Sequence, residues 1–153
     1  MPIQFPAEAE LLEPVLALFA STSYRTLLEA KLSRKRIDLL LIPNGDRPWI
    51  SVELKVRNWK KALWQAAINT QLSDCSYVAL WHTTVRAALD KQYLFESYGV
   101  GIISVSNGSA EVVLESRISA SSTRIRQQEL ILDELASVKG KDECLDTLSL
   151  LPA

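Results

Sequence analysis

Apolar positions recur along this chain with two different periods, and the switches between them mark out its elements. In residues 7–20, Leu11, Leu12, Val15, Leu18 and Phe19 recur at spacings of three and four, which predicts a helix with one apolar stripe. Pro14 either opens or kinks that helix, so its first turn is expected to be irregular. Tyr24–Leu32 reads as a first strand, although its Leu, Glu, Ala and Lys also favour helix. Two β-branched and aliphatic runs, Ile37–Ile42 and Trp49–Val56, then flank the turn-forming cluster Pro43-Asn44-Gly45-Asp46-Arg47-Pro48, which signals a hairpin.

Asn58 to Leu72 is the strongest helix signal: Asn58 suits an N-cap, and Ala62, Leu63, Ala66, Ala67 and Leu72 give an inward stripe. Ser76–His82 reads as a buried strand, about Val85–Tyr98 as one helix, and Gly101–Ser106 as another strand. A turn at Asn107-Gly108 leads into Ala110–Ser116, an expected antiparallel edge strand. Thr123–Val138 is an amphipathic helix using Ile125, Leu132, Leu135 and Val138, stopped by Lys139-Gly140-Lys141 before the acidic tail Asp142–Ala153. This order predicts an α/β fold, a central mixed β-sheet flanked by helices.

At 153 residues, 48% hydrophobic and 23% charged, the chain suits one domain over 1–153, with its core at about 7–118 and a C-terminal helix and tail at 123–153. No apolar run approaches the length of a membrane span, and MPIQFPAEAE lacks the pattern of a signal peptide, so the expected location is cytoplasmic and off the membrane. Cys75 and Cys144 lie far apart with no CxxC, and His82 is the single histidine, which supports neither a zinc site nor a disulfide framework. Cys75, at the head of a buried strand, reads as an inert thiol.

The hairpin carries the chemistry. With the turn centred between Gly45 and Asp46, positions whose numbers sum to 91 lie opposite each other, and Asp38 faces Glu53. By alternation Glu53 and Lys55 share the face of Asp38, while Val52, Leu54 and Val56 take the other. Like charges directly opposed destabilise a sheet, so something must offset them. A hard divalent cation such as Mg²⁺ does so, binding one or two carboxylates and keeping waters for a substrate to replace. An edge hairpin with one solvated face is the alternative; against it stand Leu40 and Ile42, which share the face of Asp38.

Asp38 followed by Glu53-Leu54-Lys55 resembles the signature of the PD-(D/E)XK nuclease superfamily, except that Ile37 stands where a proline usually precedes the first acid. The wider pattern is similar to a bacterial family of PD-(D/E)XK-type phosphodiesterases of unassigned role. It rests on Glu8 through Pro14-Val15, the acid strand, VELKV, the Ala-Leu-x-Gln of the next helix, and Leu72-Ser73-Asp74 leading into Tyr77-Val78-Ala79.

The resemblance implies a restriction-endonuclease-like three-layer sandwich and a Mg²⁺-dependent endonuclease, with Mn²⁺ as substitute. It implies Asp38 and Glu53 as catalytic metal ligands, with Glu8 joining them from the first helix, Glu13 as its runner-up and Glu29 as a third acid within approach. The acids of the first helix also suit its dipole. Lys55 would position or activate water, and Gln65 would orient the nucleophile, as a glutamine does in RecB-like members. Small members often dimerise to cut two strands, so a homodimer is an implied state.

The net charge of −1 argues against nucleic-acid binding over the whole surface. From Lys31 to Lys61, however, nine basic residues face only Asp38, Asp46 and Glu53, an excess of six positive charges. Arg34, Lys35, Arg36, Arg57, Lys60 and Lys61 are the expected phosphate contacts, with DNA favoured over RNA. Trp49, Trp59, Trp64 and Trp81 could offer stacking faces, Trp59 most of all beside Lys60-Lys61, whereas core packing is the expected role of Trp64 and Trp81. A module on the same fold that grips nucleic acid or protein without cleaving is the alternative function.

Overall fold

The computed structural model describes residues 5–21, 23–32, 35–139 and 150–151. A 3-10 turn at Glu8–Leu11 leads into α1 (Leu12–Leu18), the irregular entry that Pro14 predicts. The sheet is formed by β1 (Tyr24–Leu32), β2 (Lys35–Pro43), β3 (Ile50–Lys55), β4 (Cys75–Trp81), β5 (Gly101–Ser106), β6 (Ser109–Leu114) and β7 (Leu150–Leu151). The helices α2 (Trp59–Asn69), α3 (His82–Leu89), α4 (Gln92–Tyr98) and α5 (Arg124–Lys139) connect or follow them.

The strands lie in the order β6-β5-β4-β3-β2-β1-β7, with β3, β4 and β5 parallel and the other pairings antiparallel. Parallel strands require crossovers, which α2 supplies from β3 to β4, and α3 with α4 from β4 to β5. Of the acidic tail, Leu150 and Leu151 pair with Leu27 and Thr26, and the rest of Asp142–Ala153 lies outside the described residues.

Strand alternation divides the core into layers. Leu39, Leu41, Val52, Leu54, Tyr77 and Ala79 pack beneath Leu11 and Val15 of the first helical segment. On the opposite face Val78, Leu80 and Ile102 meet Ala62, Leu63 and Ala66 of α2, Val85 and Ala88 of α3, and Phe95 of α4. Leu27, Leu40 and Ile42 meet Ile131 and Leu135 of α5 on that same side. The result is a three-layer α/β sandwich with a mixed central sheet. Leu40 is fully buried and Ile42 is 4% exposed, so the hairpin is a central element rather than an edge with a solvated face. No helix among the described residues is long and apolar enough to cross a membrane.

Two local expectations fail for physical reasons. The single helix expected at Val85–Tyr98 is two helices, and α3 starts directly off β4 at His82. Asp90 to Tyr93 are all exposed, so no buried side chain holds the axis straight; there Lys91 N–H bonds the carbonyl of Ala88, three residues back. Trp64, expected in the core, is 62% exposed, because the inward stripe of α2 runs through Ala62, Leu63, Ala66 and Asn69 and leaves position 64 on the outer side. Trp49 is instead buried and offers no stacking face, and Trp81 is half-buried with its ring against His82.

Asp74, just before β4, ties the hairpin to α5. One carboxylate oxygen accepts from the backbone N–H of Trp49 at 2.8 Å and the other from Arg124 Nε at 2.8 Å. Asp74→Ala would leave a peptide N–H and a largely buried guanidinium without this acceptor, and should lower stability by about 2–4 kcal/mol in urea unfolding. Arg126→Ala, which removes only an exposed i,i+3 pair with Glu129, should change it by less than about 0.5 kcal/mol.

Candidate functional site

The β2–β3 ladder has the expected register, Leu41 to Ile50, Leu40 to Ser51 and Leu39 to Val52. Beyond Leu39 and Val52 the strands stop pairing backbone to backbone, and side chains take over. The Leu54 N–H donates to Asp38 Oδ2 at 2.9 Å, and the Asp38 N–H reaches Glu53 Oε2 at 3.4 Å. Each carboxylate therefore caps a peptide N–H of the opposite strand at the point where β2 and β3 part.

The other neighbour of β2 is irregular at the same level. Glu29, which the β1–β2 register would set against Asp38, has φ 49° and does not pair. Left-handed backbone is strained for a residue with a Cβ. It breaks the alternation: Ala30 and Ile37 join the cluster of Leu27 and Leu40, which strict period two would place across the sheet. The kink in β1 thus accompanies the opening in which Asp38 sits.

Glu53 is 1% exposed. Its Oε1 accepts from Asn69 Nδ2 at 3.1 Å, a contact made by the last residue of α2. Burial pushes the Glu53 carboxyl from its ordinary 4.5 up to about 8; the charge of Asp38 and a hydrogen bond shared with that carboxyl add to the rise, and the bond from Asn69 opposes it. Burial therefore favours the protonated form of Glu53 beside Asp38, which eases the opposition of two acids in a buried place. The Asn69 Oδ1 is buried and has no hydrogen-bond partner among the described residues. Below it, Ser51, Ser73 and Ser76 bond one another through their hydroxyls at 2.7 to 3.1 Å, and Ser73 also donates to the Asn69 carbonyl at 3.0 Å.

Lys55 ends β3 and is half-buried, its Nζ 3.7 Å from Glu8 Oε2. Glu8 is thus placed beside the lysine. Among the described residues no group of three or more His, Cys, Asp or Glu side chains is gathered so as to hold a metal ion, so Glu8 does not form one cluster with Asp38 and Glu53. Glu29 is exposed and pairs with Arg36 along the β1–β2 turn, not with the carboxylate pair. Glu13 is exposed on α1. Gln65 is half-buried on α2, one turn before Asn69 and on the same side of the helix.

Of the expected phosphate contacts, Lys60 and Lys61 are exposed on the first turn of α2, with Lys60 Nζ 5.7 Å from the Trp59 ring centre. Arg57 is exposed, its guanidinium 4.7 Å from the Phe5 ring centre. Arg34 and the side chain of Lys35 lie outside the described residues. Sequence reasoning missed Asn69. Its signal was a polar residue three positions after Ala66, within the inward stripe of an otherwise apolar helix face. Cys75 is a buried free thiol, pushed up by burial and by the nearby Asp74 charge, in keeping with an inert role.

No family model matches the chain, and no curated protein matches it. Among solved structures, a protein of unknown function from Silicibacter pomeroyi superposes with a TM-score of 0.65 over 94% of this chain and 92% of that one, at 13% identity. A likeness at that identity speaks for a shared α/β sandwich, not for a shared activity.

The raised Glu53 carboxyl has a measurable consequence. Below pH 4.5 the folded and unfolded chains both hold this proton. As pH rises the unfolded chain loses it first, so its contribution to stability declines until the folded group ionises near 8. Denaturant unfolding in chelator should show a loss on the order of 2–4 kcal/mol between about pH 5 and 8 from this one group. Glu53→Gln should remove that part of the slope and exceed wild-type stability at the alkaline end; an unchanged slope would place the proton elsewhere.

Proposed function

We propose that the chain is a metal-dependent nuclease of the PD-(D/E)XK type, hydrolysing phosphodiester bonds. The observation that carries the reading is the Asp38–Glu53 pair, set where β2 and β3 part, with Lys55 two residues further along β3. The donor set fits a hard divalent cation: burial and the Asp38 charge oppose ionisation of Glu53, and a positive charge between the two acids would offset both. Mg²⁺ suits two carboxylates completed by water, and Mn²⁺ should substitute. Such an ion supplies an acidified water and charge neutralisation at phosphorus.

The chain's own residues do the rest. Asn69 fixes the rotamer of Glu53 through its amide, so that the carboxylate stays turned toward Asp38. Lys55 carries the positive charge that would meet a phosphate oxygen, and Glu8 orients its ammonium while competing for it. Gln65, one turn before Asn69, is the residue to hold the attacking water. Nucleic acid, DNA before RNA, is the substrate class that suits the excess of basic residues between Lys31 and Lys61. A homodimer remains the arrangement expected for cutting both strands.

A non-cleaving nucleic-acid-binding module is the second reading, and the lack of a third acidic group beside the pair among the described residues favours it. Cleavage of labelled DNA and RNA in Mg²⁺ or Mn²⁺ separates the two. Asp38→Ala and Lys55→Ala should each lower turnover by at least about a hundredfold, and Lys55→Ala should leave Mn²⁺ binding intact. Absence of cleavage on every substrate, together with no calorimetric metal binding, would leave the binding module.

A further inference from the structure

The outer face of α2 presents an aromatic pair that the core does not need. Trp64 is 62% exposed and Tyr98, at the end of α4, is 44% exposed. Their ring centres lie 5.8 Å apart with the planes tilted by 50°, a tilted contact in which the rings support each other. A tryptophan this open on a helix whose other side is fully engaged loses apolar burial that a smaller polar residue would not forgo.

Charge selects what covers it. Within Trp59–Asn69, WKKALWQAAIN, there are two lysines and no acid. Lys60 and Lys61 lie four and three residues before Trp64, hence one turn away along the same surface. Both sit in the first turn of the helix, where the dipole disfavours positive charge and which itself contains no acidic residue. Their placement suits an anion that passes the helix end and stacks apolar rings one turn later. Lys55, from the candidate site, ends the strand that feeds this helix.

We infer that Trp64 and Tyr98, with Lys60 and Lys61, form a stacking platform for single-stranded nucleic acid. This rests on the nuclease reading for what happens at the pair, but not for binding on the platform. Unpaired bases offer π-faces to Trp64 and Tyr98 while the lysines meet the backbone; a duplex keeps its bases stacked inside and cannot use the rings.

The test is fluorescence anisotropy in chelator, with the full chain, a labelled oligothymidylate of about 20 nucleotides and a duplex of equal length. Wild type should favour the single strand. Trp64→Ala should weaken that binding by about five- to a hundredfold with little change in its salt dependence, and Trp64→Phe should restore most of it. The double variant Lys60→Ala, Lys61→Ala should flatten the dependence on log salt by about one to one and a half. Circular dichroism of Trp64→Ala should match wild type, because the side chain is mostly in solvent.

Equal affinity of wild type and Trp64→Ala, preference for the duplex, or no single-strand binding would overturn the platform. So would self-association in sedimentation that Trp64→Ala abolishes while oligothymidylate affinity stays the same, which would make the face a protein contact. Failures of the two readings stay distinct. Binding that depends on Trp64 without metal-dependent cleavage keeps the platform and sinks the nuclease. Cleavage that depends on Asp38, with KM untouched by Trp64→Ala, does the reverse.

Discussion

Where β2 and β3 part, a carboxylate takes the place of a carbonyl, and the candidate site depends on that exchange. A central sheet cannot simply stop pairing, because buried peptide N–H groups need acceptors. The Leu54 N–H finds Asp38 Oδ2, and the Asp38 N–H finds Glu53. The strands can therefore diverge inside the core with these two donors paired. The same two acids that make the divergence tolerable are then the ones left facing each other in it. Structure and candidate chemistry are one arrangement here.

The second constraint is electrostatic. Glu53 sits among fully buried residues, and two charges there would be costly. The chain answers with a Glu53 carboxyl raised by burial and with Asn69, whose amide donates to Glu53. The serine trio beneath, joined to the Asn69 carbonyl, extends the polar interior from β3 to the start of β4.

One helix links the levels of organisation. The inner stripe of α2 packs on β4 through Ala62, Leu63 and Ala66, and its last residue holds Glu53. Its first turn carries the lysines nearest in sequence to Lys55, and its outer face carries Trp64. Core, acid pair and exposed surface are thereby held in fixed relation by eleven residues of regular helix, more rigidly than a loop would hold them.

Much of this was legible along the chain. The turn cluster Pro43–Pro48 and alternation set the hairpin register, and so the opposition of Asp38 and Glu53, because period two and turn length leave little freedom. The apolar stripes gave most helices and strands, and Asn58 marked the start of α2, where its side chain accepts the Lys61 N–H at 3.2 Å. What depended on contacts between distant segments was not readable. Glu8 turns to Lys55 and Glu29 to Arg36 because strand and helix ends bring those partners near, which no local spacing records. The break between α3 and α4 and the exposure of Trp64 follow from which face the sheet covers. The sequence by itself determined which residues alternate and therefore which acids oppose each other; only the tertiary structure decided how deeply they are buried and what surrounds them, because desolvation and neighbouring charge come from packing across the whole sheet.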